Sequence, residues 1–235
     1  MSVAAIGIMC KVPRPGGAKT RLAKAIGAVA ASELSACFLR DVAAAIEAVP
    51  ETVGRRGYAV YAPAGAERSL RELFPASFGL LLQAGDDLGE ALFGAARELL
   101  LAGHDCVLLV NGDSPTLPSR FLVQAIQTLR SSGDDRMVLG PASDGGYYLI
   151  GLKRPHRRLF TQIEWGTKTV FGRTRERAAE IGLATTVLPE WYDIDDLETL
   201  GWLQDELAGN SKQFRGGSPA SATRTFLASA PPACP

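Results

Sequence analysis

The sequence predicts an α/β fold: a three-layer α/β/α sandwich around a mostly parallel central sheet. Three observations carry that expectation. Short apolar runs recur along the chain, bounded by charged, Gly or Pro residues. They are continuous rather than alternating, the pattern of strands covered on both faces. Between them lie Ala- and Leu-rich stretches with apolar residues at helical spacing. Strands and helices that alternate in this way build βαβ units, whose sheet is parallel.

The elements follow in order. Val3–Cys10 (VAAIGIMC) ends at Lys11 and is the first strand. After a loop over 11–19, helices cover about 20–26 and 29–48. Tyr58–Ala62 is the second strand, Glu67–Leu73 a short helix and Gly79–Gln83 (GLLLQ) the third strand. Leu88–Leu101 is helical, and Asp105–Val110 (DCVLLV) is a fourth buried strand. Phe121–Arg130 is a helix; Met137–Leu139 and Tyr147–Gly151 are strands flanking a Gly-rich turn. Lys168–Ile181, Ala184–Leu188 and Asp196–Leu207 complete the pattern as helix, strand and helix.

Composition narrows the classes. The chain has 235 residues and 24.9 kDa, ample to bury a core. With 25 basic and 25 acidic residues its net charge is zero, which argues against bulk attraction to nucleic acid or anionic membrane. No run approaches the roughly 20 apolar residues of a spanning helix. Cys10, Cys37, Cys106 and Cys234 are far apart and only two histidines exist, so no zinc site is expected. The opening apolar stretch is too short for a secretory signal, so a cytoplasmic location is the default. Residues 209–235 are rich in Gly, Ser, Ala and Pro, with three basic residues and no acidic one. The expectation is a single domain over 1–208, net charge −3, followed by a disordered tail.

In a parallel sheet, ligands bind beyond the carboxyl ends of the strands, so the loops there carry the chemistry. After the first strand comes Lys11–Leu22 (KVPRPGGAKTRL). It is no P-loop, because that template needs glycine where Pro13 and Ala18 stand. Gly16–Gly17 allow close backbone approach, and Lys11, Lys19 and Arg21 suit a di- or triphosphate. The plainer alternative is a solvated basic loop.

After the fourth strand, Asn111-Gly-Asp-Ser-Pro places Asp113 at the sheet edge, as one carboxylate for Mg²⁺ or Mn²⁺ or as a turn or cap residue. Asp144-Gly145-Gly146 is either a hairpin turn or, with Tyr147 and Tyr148, a surface for a sugar or polyol acceptor. Asp193 and Asp195 alternate in an extended segment and share a side, where a cation would relieve their repulsion. Asp195 or Asp196 is equally a cap for the last helix.

Lys11–Leu22 resembles the opening motif of the DUF2064 family, also called rSAM/selenodomain-associated transferase 1 or the arsenosugar biosynthesis glycosyltransferase family. Asp87–Gly89 (DLG), Gly112–Pro118 (GDSPTLP), Gly140–Gly151 (GPASDGGYYLIG), Trp165–Thr167 and Asp193–Asp195 are similar to its other hallmarks, in order. The resemblance spans about residues 5–207 and implies a GT-A-like (Rossmann-like) nucleotide-diphospho-sugar transferase fold. By that resemblance Lys11, Lys19 and Arg21 hold nucleotide phosphates, and Asp113, Asp193 and Asp195 hold a divalent metal. Asp144–Tyr148 and Trp165 line the acceptor side. Ala91–Leu92 stand where the family pattern has Arg-Met, which weakens any cation expected near Asp87.

Three functions follow as expectations. The first is a metal-dependent glycosyltransferase acting on a nucleotide sugar and a small-molecule acceptor, with Asp144 or Asp87 as base. The second is a nucleotidyltransferase that joins an NTP to a small phosphorylated acceptor. The third is a non-catalytic nucleotide-binding protein.

Overall fold

The central strand β1 (Ala4–Lys11) is apolar up to its last residue, and its side chains alternate between two buried faces. Around it the computed structural model, which describes residues 2–17, 19–131 and 134–229, assembles one seven-stranded sheet. The other strands are β2 (Arg55–Ala62), β3 (Gly79–Leu82), β4 (Val107–Asn111), β5 (Arg136–Pro141), β6 (Tyr147–Leu152) and β7 (Ala184–Val187). Their order is β3-β2-β1-β4-β6-β5-β7. Every neighbouring pair is parallel except the two that involve β6. The sheet is therefore mostly parallel, as the apolar runs predict.

Helices cover both faces. On one lie α2 (Ala28–Glu47), α3 (Glu67–Leu73), α5 (Ser119–Ser131) and α7 (Leu197–Leu207), which bury Phe38, Leu70, Leu122 and Leu203 against Ile6 and Ile8. On the other, α4 (Leu88–Leu101) and α6 (Val170–Glu180) bury Leu92, Ala96, Leu99 and Ala178 against Val107, Leu109 and Ile150. In α5 the buried residues Phe121, Leu122, Ala125, Ile126 and Leu129 recur at helical spacing and form one stripe. Cutting fully buried Leu122 to alanine would cost about 2–5 kcal/mol. A further short helix, α1 (Thr20–Ile26), joins α2 at Gly27, whose φ of 86° few other residues adopt.

The Asp-Gly signal resolves as a turn. β5 and β6 form an antiparallel hairpin, with a register shift at Gly140/Pro141. The two sides of β1 diverge toward β2 and β4, and the crevice beyond their carboxyl ends receives the loops singled out above.

The expectation of a disordered tail gives way over residues 209–229, while residues 230–235 lie outside the described residues. Helix α8 (Ser221–Ser229) packs on α2, where buried Asp41 accepts hydrogen bonds from Ala222 N and Thr223 N, both at 2.9 Å. Ser218 N donates to Thr116 O at 2.8 Å, and buried Phe214 stacks 4.4 Å from Tyr192, centroid to centroid. The segment lacks periodicity because isolated anchors fix it: one carboxylate supplied by another helix, and one aromatic ring.

Candidate active site

Lys19 ends the loop beyond β1 as the N-cap of α1, and Arg21 lies in the first turn of that helix. Lys19 has a left-handed backbone (φ 53°) and a side chain only 4% exposed. Its ammonium lies 3.0 Å from Asp113 Oδ2 and 2.8 Å from Asp195 Oδ1. Burial pulls its pKa down, but the two carboxylates outweigh that and hold it above its ordinary value. Arg21 donates to the other oxygen of Asp195 at 2.7 Å and is largely exposed. The cation expected to grip phosphate is thus buried among carboxylates, because chain topology brings together residues 176 positions apart.

Two adjoining cavities open here and share Met9, Leu88 and Asp113. The first is lined by Asp144, Tyr147, Trp165 and Asp193; the second by Lys11, Gly17, Lys19, Gln83 and Asp195. Asp193 and Asp195 therefore serve different cavities on either side of Asp113. Ile194 N donates to Asp113 O at 3.0 Å and fixes that arrangement. Burial, reinforced by Asp144 and Asp195, pushes the Asp193 carboxyl up to about 7. Gly16 (φ 77°) is exposed and does not line either cavity.

The remaining carboxylates divide their roles. Asp196, not Asp195, caps α7, exchanging hydrogen bonds with Thr199 in a capping box that holds its carboxyl below the usual range. Asp87 caps α4, accepting from Glu90 N at 2.9 Å, and does not line the first cavity. Asp144 does line it. Its Oδ1 accepts from Gly146 N at 2.8 Å, while Gly145 (φ 92°) has no room for a Cβ, which would stand 2.4 Å from Lys168 O.

The two tyrosines part company. Successive residues of β6 face opposite sides of the sheet. Tyr147 meets Trp165 edge-on at 6.4 Å, on the cavity side. Tyr148 is fully buried in the opposite core, where its ring fills the space a Cβ on Gly140 would take and its hydroxyl donates to Pro189 O at 3.0 Å. Its backbone touches the cavity region; its phenol does not serve an acceptor.

Sequence reasoning missed Asn111 and Gln83. Asn111 ends β4, lines the first cavity and has a buried Oδ1 that accepts no hydrogen bond. Gln83 donates from Nε2 to Val60 O at 2.8 Å and Cys10 O at 3.3 Å, in the second cavity. Each is the first polar residue after an apolar strand, and that was the available signal. Among the described residues no three acidic, Cys or His side chains converge closely enough to enclose an ion. Within the predicted set, both oxygens of Asp195 are engaged by Lys19 and Arg21. Asp113 and Asp193, two carboxylates lining one cavity, still match the one or two that Mg²⁺ takes alongside phosphate oxygens and water.

Comparison with known proteins extends this picture. The family model DUF2064, described as an uncharacterized protein conserved in bacteria, matches residues 45–167. No curated protein matches the chain. The crystal structure of a candidate nucleotide-diphospho-sugar transferase from Desulfovibrio desulfuricans G20 is similar at TM-score 0.82 and 28% identity, over 97% of this chain and 96% of that one. CMP:2-keto-3-deoxy-manno-octonic acid synthetase complexed with CTP shares the fold at TM-score 0.58 and 10% identity, over 89% of this chain and 100% of that one. Glucosyl-3-phosphoglycerate synthase from Mycobacterium tuberculosis, in complex with Mn²⁺, UDP and glucosyl-3-phosphoglycerate, does so at TM-score 0.51 and 11% identity, over 89% of this chain and 78% of that one. Among the described residues no helix is long and apolar enough to cross a membrane.

Proposed function

The chain belongs to the DUF2064 family, and from that premise we propose that it is a metal-dependent glycosyltransferase, moving a sugar from a nucleoside-diphosphate sugar to a small acceptor. The similar nucleotide-sugar and cytidylyl transferase folds support the broader class of nucleotide-using transferase. One observation carries the reading: Asp113 stands in the wall common to a cation-bearing cavity and an aromatic, acidic one. A donor in one and an acceptor in the other would meet at that residue.

The roles follow from the geometry. Lys11, exposed in the second cavity, holds the donor's phosphates with Arg21, which stands beside the cavity on Asp195, and Lys19 keeps Asp113 and Asp195 in position. Trp165 and Tyr147 offer flat faces to the acceptor, and Asp144 takes the proton from its hydroxyl. Asp144 is preferred to Asp87 because Asp144 lines the first cavity and Asp87 does not. Asp113 and Asp193 would hold Mg²⁺ or Mn²⁺, which supplies neutralising charge for a diphosphate leaving group when bound.

Thermal shift separates the readings. Wild type should be stabilised by UDP- or GDP-sugars more in the presence of Mn²⁺ than in its absence, and Asp113→Ala should lose the metal-dependent part. Stabilisation by CTP, GTP or ATP but by no nucleotide sugar would replace this proposal with nucleotidyl transfer.

A further inference from the structure

The first cavity carries a one-sided charge. Asp113, Asp144 and Asp193 line it, and among the described residues no Lys, Arg or His does. Lys19 lies on the other side of Asp113 and is engaged by Asp113 and Asp195. Helix N-termini do not make up the deficit. At α6, Phe171 N already donates to Gly145 O at 3.0 Å, and α4 begins beneath the carboxylate of Asp87. Much of the remaining lining is apolar, including Leu88, Leu92, Leu109 and Val170, with the Tyr147–Trp165 pair. Two residues of its lining, Asn111 and Tyr147, each carry a buried side-chain oxygen without a hydrogen-bond partner, Asn111 Oδ1 and the Tyr147 hydroxyl.

We propose that this cavity selects a neutral or cationic acceptor, with an O–H or N–H donor on a ring or other largely apolar body, and rejects phosphorylated and carboxylated ones. The assignment of the cavity to the acceptor rests on the transferase reading above. Three carboxylates repel an anion held a few ångströms away, and the low-dielectric apolar wall strengthens that repulsion. An apolar ring instead gains by covering Trp165 and Tyr147, and its hydroxyl or amine can donate to the carboxylates of the wall. A divalent ion at Asp113 and Asp193 leaves Asp144 as an unpaired carboxylate in the wall, so the preference weakens but keeps its direction with metal. The runner-up chemistry, transfer to a phosphorylated acceptor, is the one this wall disfavours.

The test uses four probes on one scaffold: benzyl alcohol, benzylamine, benzoate and phenyl phosphate. Binding is followed by saturation-transfer NMR on the full chain, first in EDTA and then with Mn²⁺. Benzyl alcohol and benzylamine should bind, Trp165→Ala should abolish their signal, and phenyl phosphate should bind about tenfold or more weakly than benzylamine. Leu88→Arg, at an exposed position on the cavity mouth, should narrow that gap without depending on a core substitution. Phenyl phosphate or benzoate binding as tightly as benzylamine in a Trp165-dependent way overturns the proposal. So does the absence of Trp165-dependent binding by both uncharged and cationic probes. Nucleotide-induced thermal shift reports separately on the second cavity. Its failure would sink the transferase reading while leaving the charge preference measured by the probes standing.

Discussion

Replacing Lys19 by methionine keeps the side-chain stem and removes the ammonium that bridges Asp113 at 3.0 Å and Asp195 at 2.8 Å. Two effects should follow. Breaking a buried ion pair costs about 3–5 kcal/mol, and an exposed one about 0–1. Here the lysine side chain is 4% exposed, but the carboxylates are 39% and 33% exposed, so water reaches them. The loss should therefore fall between those limits, at about 2 kcal/mol, or roughly 4–8 °C in Tm for a chain of this length. The second effect has the opposite sign. A divalent ion sharing Asp113 with the ammonium, at about 5 Å, is repelled by about 1.7 kcal/mol even at the dielectric of water. Lys19→Met should thus bind Mn²⁺ more than about tenfold tighter than wild type. Titration calorimetry at pH 8 reads the affinity, and differential scanning calorimetry in EDTA reads the stability. A variant that is less stable yet binds Mn²⁺ no more tightly would refute the idea that lysine and metal compete for Asp113.

Three other changes probe separate parts of the reasoning. The Asp193 carboxyl is raised from 3.8 to about 7, so the native state binds the extra proton and its stability falls as pH rises through that window. Asp193→Asn should be more stable than wild type at pH 8, by about 2 kcal/mol after allowing for water access, with the difference closing by pH 4 in urea titrations. Asp41→Ala removes the carboxylate that receives Ala222 N and Thr223 N; a loss of about 1–2 kcal/mol and faster amide exchange over 222–229 are expected, with the sheet unaffected. In Gly140→Ala the new Cβ would stand 2.4 Å from Tyr148 Cζ, so thermal denaturation should show a cost of about 1–3 kcal/mol even though Tyr148 is remote from the acceptor.

The sheet was legible because burial on both faces leaves a local mark. VAAIGIMC and DCVLLV read as strands without knowledge of their neighbours. The residue types at the strand ends were legible for the same reason, since a carboxylate or lysine following an apolar run stands at the sheet's edge. What local sequence could not reveal was partner and side. Tyr147 and Tyr148 are adjacent in sequence, and only the hairpin register assigns one to the cavity and the other to the core. Whether Asp195 or Asp196 caps α7 depends on where the helix starts, a choice made by Thr199. The segment beyond residue 208 looked unfolded because Phe214 and Asp41, which anchor it, lie far apart in the chain.

Lys19 shows most clearly how topology changes the meaning of a residue. In the loop KVPRPGGAKTRL it reads as one of several cations awaiting a phosphate. In the fold it is a counter-charge for an acidic cluster assembled from three distant loops. Asp113, Asp144, Asp193 and Asp195 bring four potential negative charges to the junction of the cavities, while Lys19 and Arg21 bring two positive ones. The raised Asp193 carboxyl is the protein's own partial answer to that imbalance, because a proton removes one charge. Once that proton leaves, two negative charges are in excess; a single divalent cation would neutralise both, whereas a monovalent ion would leave one. The charge count thus favours Mg²⁺ or Mn²⁺ over Na⁺ or K⁺, and it predicts that metal binding strengthens as Asp193 ionises near neutral pH.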